Sequence, residues 1–287
     1  VFSPVAYSGN STAGRSITSG FPLDWVVTKG RNAGIEPISY TRLQGSGRKL
    51  LTYSAAAEAN SSTNVITSFD QDGMTVGTDT DINNSSYTYI DYFFKRATGF
   101  FDVVVATPSG FAWSNVPHNL GVTPELLIYK PRASGAWYVM SSALTSSNYY
   151  MVLNGTNAST YSNASQYSAT ATTVSFPSMP SNASTVAYLF ATLAGVSKVG
   201  SYTGTGADLN VDCGFSAGAR FILIKRTDST GGWHVWDSSR GISASTDSYL
   251  LLNSTAAEVT NTDYVDPLAS GFTVTSSAPA ALNASGG

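Results

Sequence analysis

The residues of this 287-residue chain that could do chemistry are few and scattered. Two acidic clusters stand out, Asp70-Gln71-Asp72-Gly73 and Asp79-Thr80-Asp81. Asp-x-Asp-Gly can wrap an oxygen-loving cation such as calcium, and two carboxylates facing one cleft are what glycoside hydrolysis needs. The further ligands of a calcium loop do not follow, so these aspartates read better as turn caps. Asp70 and Asp72 remain the positions on which a polysaccharide depolymerase would depend. His118 and His234 belong to no metal-ligand spacing, and no serine or cysteine sits in a Gly-x-Ser-x-Gly elbow. The single cysteine, Cys213, excludes an internal disulfide and a cysteine-built zinc site. Its alternation Leu209-Asn210-Val211-Asp212-Cys213 marks a small buried hydrophobe. No catalytic residue, metal or cofactor is therefore expected.

The aromatic clusters carry more. Trp233-His234-Val235-Trp236-Asp237-Ser238-Ser239-Arg240 answers to Ala136-Trp137-Tyr138-Val139-Met140 and to Ile38-Ser39-Tyr40-Thr41-Arg42. In a strand, Trp233 and Val235 share one face and His234 and Trp236 the other, so at least one aromatic should point away from the core. A solvent-facing ring beside Asp and Arg is what sugar recognition uses. Trp137, Tyr138, Trp233, Trp236, Asp237 and Arg240 are thus the candidate glycan-binding residues. The competing reading packs the tryptophans between sheets or against the next module, and the dominance of aromatics in cores and interfaces favours it. Tyr149, Tyr150, Tyr87 and Tyr89 share the ambiguity.

Charged residues make up 11% of the chain and the net charge is −3, which leaves no basic surface for nucleic acid. Neutral Ser, Thr, Asn and Gly must solvate the exterior, a usage that favours turns and strands over helix interiors. No apolar run approaches the ~18 residues of a membrane-spanning helix, so no membrane insertion is expected. The lack of an initial Met and of an export signal is consistent with an excerpt of a longer polypeptide or a processed chain.

These residues must be positioned by a module written three times. Trp25-Val26-Val27-Thr28-Lys29 recurs as Leu126-Leu127-Ile128-Tyr129-Lys130 and as Phe221-Ile222-Leu223-Ile224-Lys225, with spacings of 101 and 95 residues between the lysines. Thr75, Thr173 and Thr273 mark a second landmark at spacings of 98 and 100 residues. Short β-branched and aromatic runs between polar turns predict an all-β fold of three tandem antiparallel β-sandwich, jelly-roll-like modules, over 1–99, 100–195 and 196–287. Strand order is not legible from periodicity. Such an array points to an extended structural or adhesive protein. The best helical candidate, Tyr53 to Asn60, echoes Asn253 to Glu258 and reads as a turn. The third copy stops early: Asn283-Ala284-Ser285 corresponds to Asn83-Asn84-Ser85 and Asn182-Ala183-Ser184, which precede the closing aromatic strands Tyr87 to Lys95 and Thr185 to Leu193. A missing strand leaves an edge or an apolar groove, which further chain or a neighbouring chain is expected to fill.

Read in order, Lys225, Trp236, Asp237-Ser238-Ser239-Arg240-Gly241, Tyr249-Leu250, Asn253, Glu258 and Gly271-Phe272 resemble a repeat domain of structural and tail-fibre proteins of tailed bacteriophages, marine ones especially. Module 1 keeps Phe21, Asp24, Trp25, Lys29, Gly45, Leu50, Glu58, Asp72 and Gly73, with Gln44 where Arg240 would align. Module 2 keeps Pro124, Lys130, Trp137 and Tyr149. The resemblance implies a non-enzymatic virion component, a fibre or adhesin of stacked sandwiches on the particle surface, used for host attachment. It also implies a homotrimer, contacts with other virion proteins and a host-surface glycan as ligand. The alternatives are a bacterial carbohydrate-binding adhesin, a capsid-decorating protein and a depolymerase.

Overall fold

Alternating β-branched and aromatic residues fit a pleated surface, and the polar turns between them reverse it. In the computed structural model, which describes residues 1–61, 64–107, 113–163, 167–176 and 183–287, they form strands along the whole chain. Module 1 comprises β1 (Phe2–Ser8), β2 (Arg15–Thr18), β3 (Trp25–Gly30), β4 (Ile38–Thr41), β5 (Arg48–Leu51), β6 (Ala59–Asn60), β7 (Ile66–Phe69), β8 (Gly73–Val76), one helical turn α1 (Thr80–Asn83) and β9 (Thr88–Phe94). Module 2 comprises β10 (Phe101–Ala106), β11 (Trp113–Pro117), β12 (Leu126–Pro131), β13 (Tyr138–Ser141), β14 (Tyr149–Val152), β15 (Thr160–Tyr161), β16 (Ser168–Ala169), β17 (Thr173–Phe176) and β18 (Thr185–Phe190). Module 3 comprises β19 (Leu209–Asp212), β20 (Phe221–Ile224), β21 (His234–Asp237), β22 (Ile242–Ser243), β23 (Thr246–Leu251), β24 (Val259–Thr262), β25 (Val265–Leu268), β26 (Gly271–Val274) and α2 (Ala280–Asn283). Asn182 lies outside the described residues.

Each module is a two-sheet sandwich. In modules 1 and 2 a six-stranded sheet, β1-β9-β3-β4-β5-β6 or β10-β18-β12-β13-β14-β15, packs on a three-stranded one, β2-β8-β7 or β11-β17-β16. The last strand inserts between the first and the third, antiparallel to both. Val26, Tyr40 and Phe93 meet Ile17, Met74 and Val76 inside module 1. Leu127, Tyr129 and Leu189 meet Trp113 and Val174 in module 2, and Ile222 and Trp236 meet Phe272 and Val274 in module 3. The expected all-β fold of three tandem sandwiches is observed, and tight turns at Gly99 and Gly195, with φ of 77° and 73°, separate the modules.

The modules are not beads in a row. The opposite faces of all three large sheets turn inward on a fourth, shared core: Trp25, Tyr92 and Phe94 from module 1, Phe101, Ile128, Trp137 and Tyr188 from module 2, and Trp233, Val235 and Leu250 from module 3. Trp25 stacks on Phe94 at 4.6 Å and meets Tyr188 of module 2 at 4.4 Å between ring centroids. The accessible surface is 11232 Å². One compact body of this mass exposes about 11,700 Å², whereas three separate bodies of a third the mass would expose about 15,800 Å². The expectation of an extended array is corrected accordingly: the chain closes on itself as a three-sided unit. Its strands had signalled this, because β3 and β12 read as near-continuous apolar runs, the pattern of strands covered on both faces.

Module 3 is open as expected. Its large sheet runs β20-β21-β23-β22, with β24 on β23, and no described strand stands where β9 and β18 stand in the other two.

A shared core makes the modules one cooperative unit. Ile128→Ala, at a site 4% exposed in that core, should cost about 2–5 kcal/mol and lower a single calorimetric transition of the whole chain. Separate transitions, with only one of them shifted, would contradict the shared core.

Candidate functional site

The candidate glycan-binding residues sit inside the molecule. Trp137, Trp233 and Trp236 are 1%, 3% and 0% exposed, and the side chains of Asp237 and Arg240 are fully buried. Tyr138 is half-buried and stacks on Tyr129 at 5.2 Å. The expectation that one aromatic of this cluster faces solvent is corrected. Strand alternation does turn Trp233 and Trp236 to opposite faces, but the second face meets the neighbouring modules instead of water. The packing reading of these tryptophans is the one observed.

What the structure brings together is a ring of contacts between modules. Trp137 donates its Nε1–H to the Leu51 carbonyl of module 1 at 2.8 Å, and Trp233 donates to the Val152 carbonyl of module 2 at 3.0 Å. The Thr52 hydroxyl of module 1 closes the cycle on the Leu252 carbonyl of module 3 at 2.5 Å. A second cycle runs through the backbone: Glu58 N–H to Arg132 C=O at 2.7 Å, Ser159 to Thr227 at 2.8 Å, and Glu258 to Arg31 at 2.7 Å. The segment from Tyr53 to Asn60, expected as a turn, is the arm that reaches module 2, where its Ala55 carbonyl accepts from Gly135 N–H at 2.8 Å.

Charges reinforce two of the three junctions. Arg31 grips Glu258 with two hydrogen bonds of 2.8 and 3.1 Å, and Arg132 grips Glu58 at 2.8 and 2.7 Å. The motif Asp237-Ser238-Ser239-Arg240 braces the first of these. Arg240 bonds Asp237 at 2.5 Å and Glu258 at 3.3 Å, Tyr92 of module 1 donates to Asp237 at 3.1 Å, and Ser239 donates to the Pro4 carbonyl of β1 at 2.6 Å. In module 1 Gln44 takes the place of Arg240 and donates to Glu58 at 2.5 Å. Burial alone would raise the carboxyls of Glu58 and Glu258, but the arginines outweigh it and hold both below the ordinary range.

The repeated lysines turn out to be the residues whose role periodicity did not disclose. Lys29 and Lys130 are completely buried, and burial pulls Lys29, Lys130 and Lys225 down to about 8. Their ammonium groups bind loop carbonyls. Lys29 donates to Ile35 at 2.6 Å and across the junction to Thr255 at 2.8 Å, and Lys225 donates to Thr156 of module 2 at 3.4 Å. An ionisable residue ending an apolar strand in every copy was the available signal.

The remaining candidates have local tasks. Asp70 accepts from Ser68 and Thr75, both at 2.7 Å, and Asp79 caps α1 by accepting from Asp81 N–H at 2.8 Å, as the turn reading expects. Asp81 pairs with Lys49 at 3.1 Å. His118 and His234 are buried, and burial lowers His234, which stacks on Trp236. Cys213 is half-buried, with its thiol pushed up by burial and by Asp212. No group of three or more His, Cys, Asp or Glu among the described residues is placed to share a metal ion. One carboxylate stands apart. Asp91, in the middle of β9, is fully buried and neither oxygen makes a well-formed hydrogen bond; burial pushes it up to about 7 against the opposing pull of nearby Thr28, Arg15 and Tyr7.

Glu258→Ala should cost about 1–3 kcal/mol in urea unfolding near neutral pH, because it removes the carboxylate that Arg31 grips across the junction and leaves buried Arg240 with Asp237 alone. A loss below about 1 kcal/mol would contradict the junction. The two depressed glutamates stabilise the fold above their ordinary 4.5, and that contribution drains away as pH falls below it. Asp91 acts oppositely: its raised value favours folding at low pH and penalises it as pH rises through about 7. Asp91→Asn should therefore compare more favourably with the wild type at pH ~8 than at pH ~5; a difference independent of pH would refute a buried, titrating Asp91.

No curated protein and no solved structure gives a significant match to this chain. One family model matches residues 1–287 and so spans all three modules. The chain belongs to the family described as a domain of unknown function, DUF7483.

Proposed function

We propose that the protein is a non-enzymatic structural component of a tailed-bacteriophage particle, in which the three-sided unit is displayed on a tail fibre or particle surface and contacts the host. The observation that supports this reading most is where the motif resembling phage repeat domains lies. Asp237, Ser239 and Glu258 engage module 1, and Arg240 braces Asp237 and Glu258 from within module 3, so the shared motif builds a rigid junction. The neutral Ser, Thr and Asn exterior suits a displayed body better than one that holds nucleic acid. In this proposal the homotrimer implied by the resemblance is an assembly of three such units alongside other virion proteins.

A glycan-binding reading, within a phage or a bacterial adhesin, draws support from a different place than the tryptophans. Tyr161 is 54% exposed, packs edge-on against Tyr149 at 5.4 Å, and donates its hydroxyl to Asn163 at 2.5 Å. An open ring bordered by an amide is a reasonable sugar platform.

An antibody raised against the chain should label purified virions from the source at the tail or particle surface. Labelling confined to the envelope of uninfected bacteria would overturn the virion reading in favour of the bacterial adhesin. Labelled protein should also bind host cells, with Tyr161→Ala weakening binding about tenfold, roughly 1.4 kcal/mol, and without release of reducing sugar. Sugar release that Asp70→Asn abolishes would establish the depolymerase instead.

A further inference from the structure

In modules 1 and 2 the central strand of the large sheet has a neighbour on each side, whereas in module 3 the two neighbours stand without it. On one side β20 is an edge strand. Its inward residues Phe221 and Leu223 are half-buried, while their module 1 counterparts Trp25 and Val27 are 7% and 3% exposed. On the other side, after the bridge of Ser197 to Leu193, residues 198–203 stand in the place of β1 without strand pairing. Tyr202 donates to the Leu282 carbonyl at 2.7 Å as Tyr7 does to Ile82 at 2.9 Å. Gly204 N–H donates to Gly287 C=O at 2.8 Å as Gly9 does to Tyr87 at 2.9 Å. Asn283 binds the Thr275 and Ala207 carbonyls as Asn83 binds those of Gly77 and Thr12. This second wall is thus held in place by the same contacts as in module 1, and β20 is held by its pairing with β21 as β3 is by β4. Between them runs an apolar cavity of about 650 Å³ reaching Phe94, Ser141 and Phe190 at the shared core.

We propose that this slot is an acceptor for one extended peptide strand, antiparallel to β20 and to residues 198–203, whose inward face reads aliphatic-x-Tyr-x-Phe. The pattern comes from the two filled copies. Ile90, Tyr92 and Phe94 of β9, and Val186, Tyr188 and Phe190 of β18, point into the shared core. Each tyrosine also reaches the adjacent module: Tyr92 to Asp237 in module 3 at 3.1 Å, and Tyr188 to Ser39 in module 1 at 2.9 Å. The third step of that cycle leads from module 3 to module 2, where buried Ser141 lines the cavity. The intervening residues of the occupant are apolar, because they face Ile222, Ile224 and Phe272. A small apolar ligand would leave two rows of backbone N–H and C=O groups unpaired. Among the described residues, both segments with this pattern are central in their own sheets, so a second copy could lend neither without opening that sheet. The proposal is independent of any role on a particle.

The test uses the 287-residue chain and a synthetic peptide with the sequence Thr185 to Phe190, carrying added lysines for solubility. Hydrogen exchange at the amides of Phe221 to Ile224 and of residues 201–203 should slow at least tenfold, roughly 1.4 kcal/mol. A permuted peptide that moves the aromatics to the other face should have no such effect. Ser141→Ala should weaken binding about fivefold, the worth of one hydrogen bond, for this peptide but not for one with Phe in place of Tyr. A second arm, free of peptide solubility, joins the sequence Ser184 to Phe190, whose intervening residues are apolar, directly after Gly287; it should raise the melting temperature above that of a permuted extension. Equal effects of native and permuted strands in both arms would overturn the proposal. So would concentration-dependent dimers that protect the same amides without peptide, which would assign the slot to a second copy.

Discussion

The structure depends on the need of each large sheet to cover two apolar faces. A sheet that alternates polar and apolar residues is satisfied by one partner layer, and the small sheet of each module supplies that layer. These sheets have a second apolar face, carrying Trp25 and Phe94, Ile128 and Tyr188, or Trp233 and Val235. Exposing rings of that size costs about 1.5–3 kcal/mol each. Three modules meeting around one centre cover all three faces at once, and joining them in a single chain removes the loss of freedom that assembling separate subunits would entail.

Polar contacts then determine how the modules are oriented. The tryptophan-to-carbonyl and backbone cycles repeat around the ring, as do the lysines that bind loop carbonyls. Among the described residues, ion pairs on buried glutamates occur at two junctions and not at the Ser159–Thr227 junction. Since a buried pair adds little net stability over an apolar contact, we read Glu58 and Glu258 as orienting elements: only one docking angle satisfies their guanidinium partners. The asymmetry also makes the three modules unequal, so the unit has three sides of different chemistry.

Much of this was legible in the sequence, and the gaps have physical reasons. The threefold repetition, the all-β class and the lack of a closing aromatic strand in module 3 among these residues were plain, because side-chain alternation and turn residues are local properties. Gln44 was recognised as aligning with Arg240, and the structure adds that both brace the same glutamate position. The sugar-binding reading of Trp233, Trp236 and Arg240 went wrong at one point: alternation tells which residues share a face but not whether that face meets water. The runs Leu126-Leu127-Ile128-Tyr129 and Phe221-Ile222-Leu223-Ile224 held the answer, since strands with a solvent face rarely lack polar residues. Asp91 was hidden for the opposite reason, as a charge within an aromatic strand suggests an exposed position that the fold does not provide.

A closed three-sided unit and a row of three sandwiches differ most in overall dimensions, so small-angle scattering of the monomeric chain tests the account most directly. The shared core requires a radius of gyration of about 19 Å, the value for a single compact body of this length. A value near 29 Å, that of three ~97-residue bodies set end to end, would contradict it.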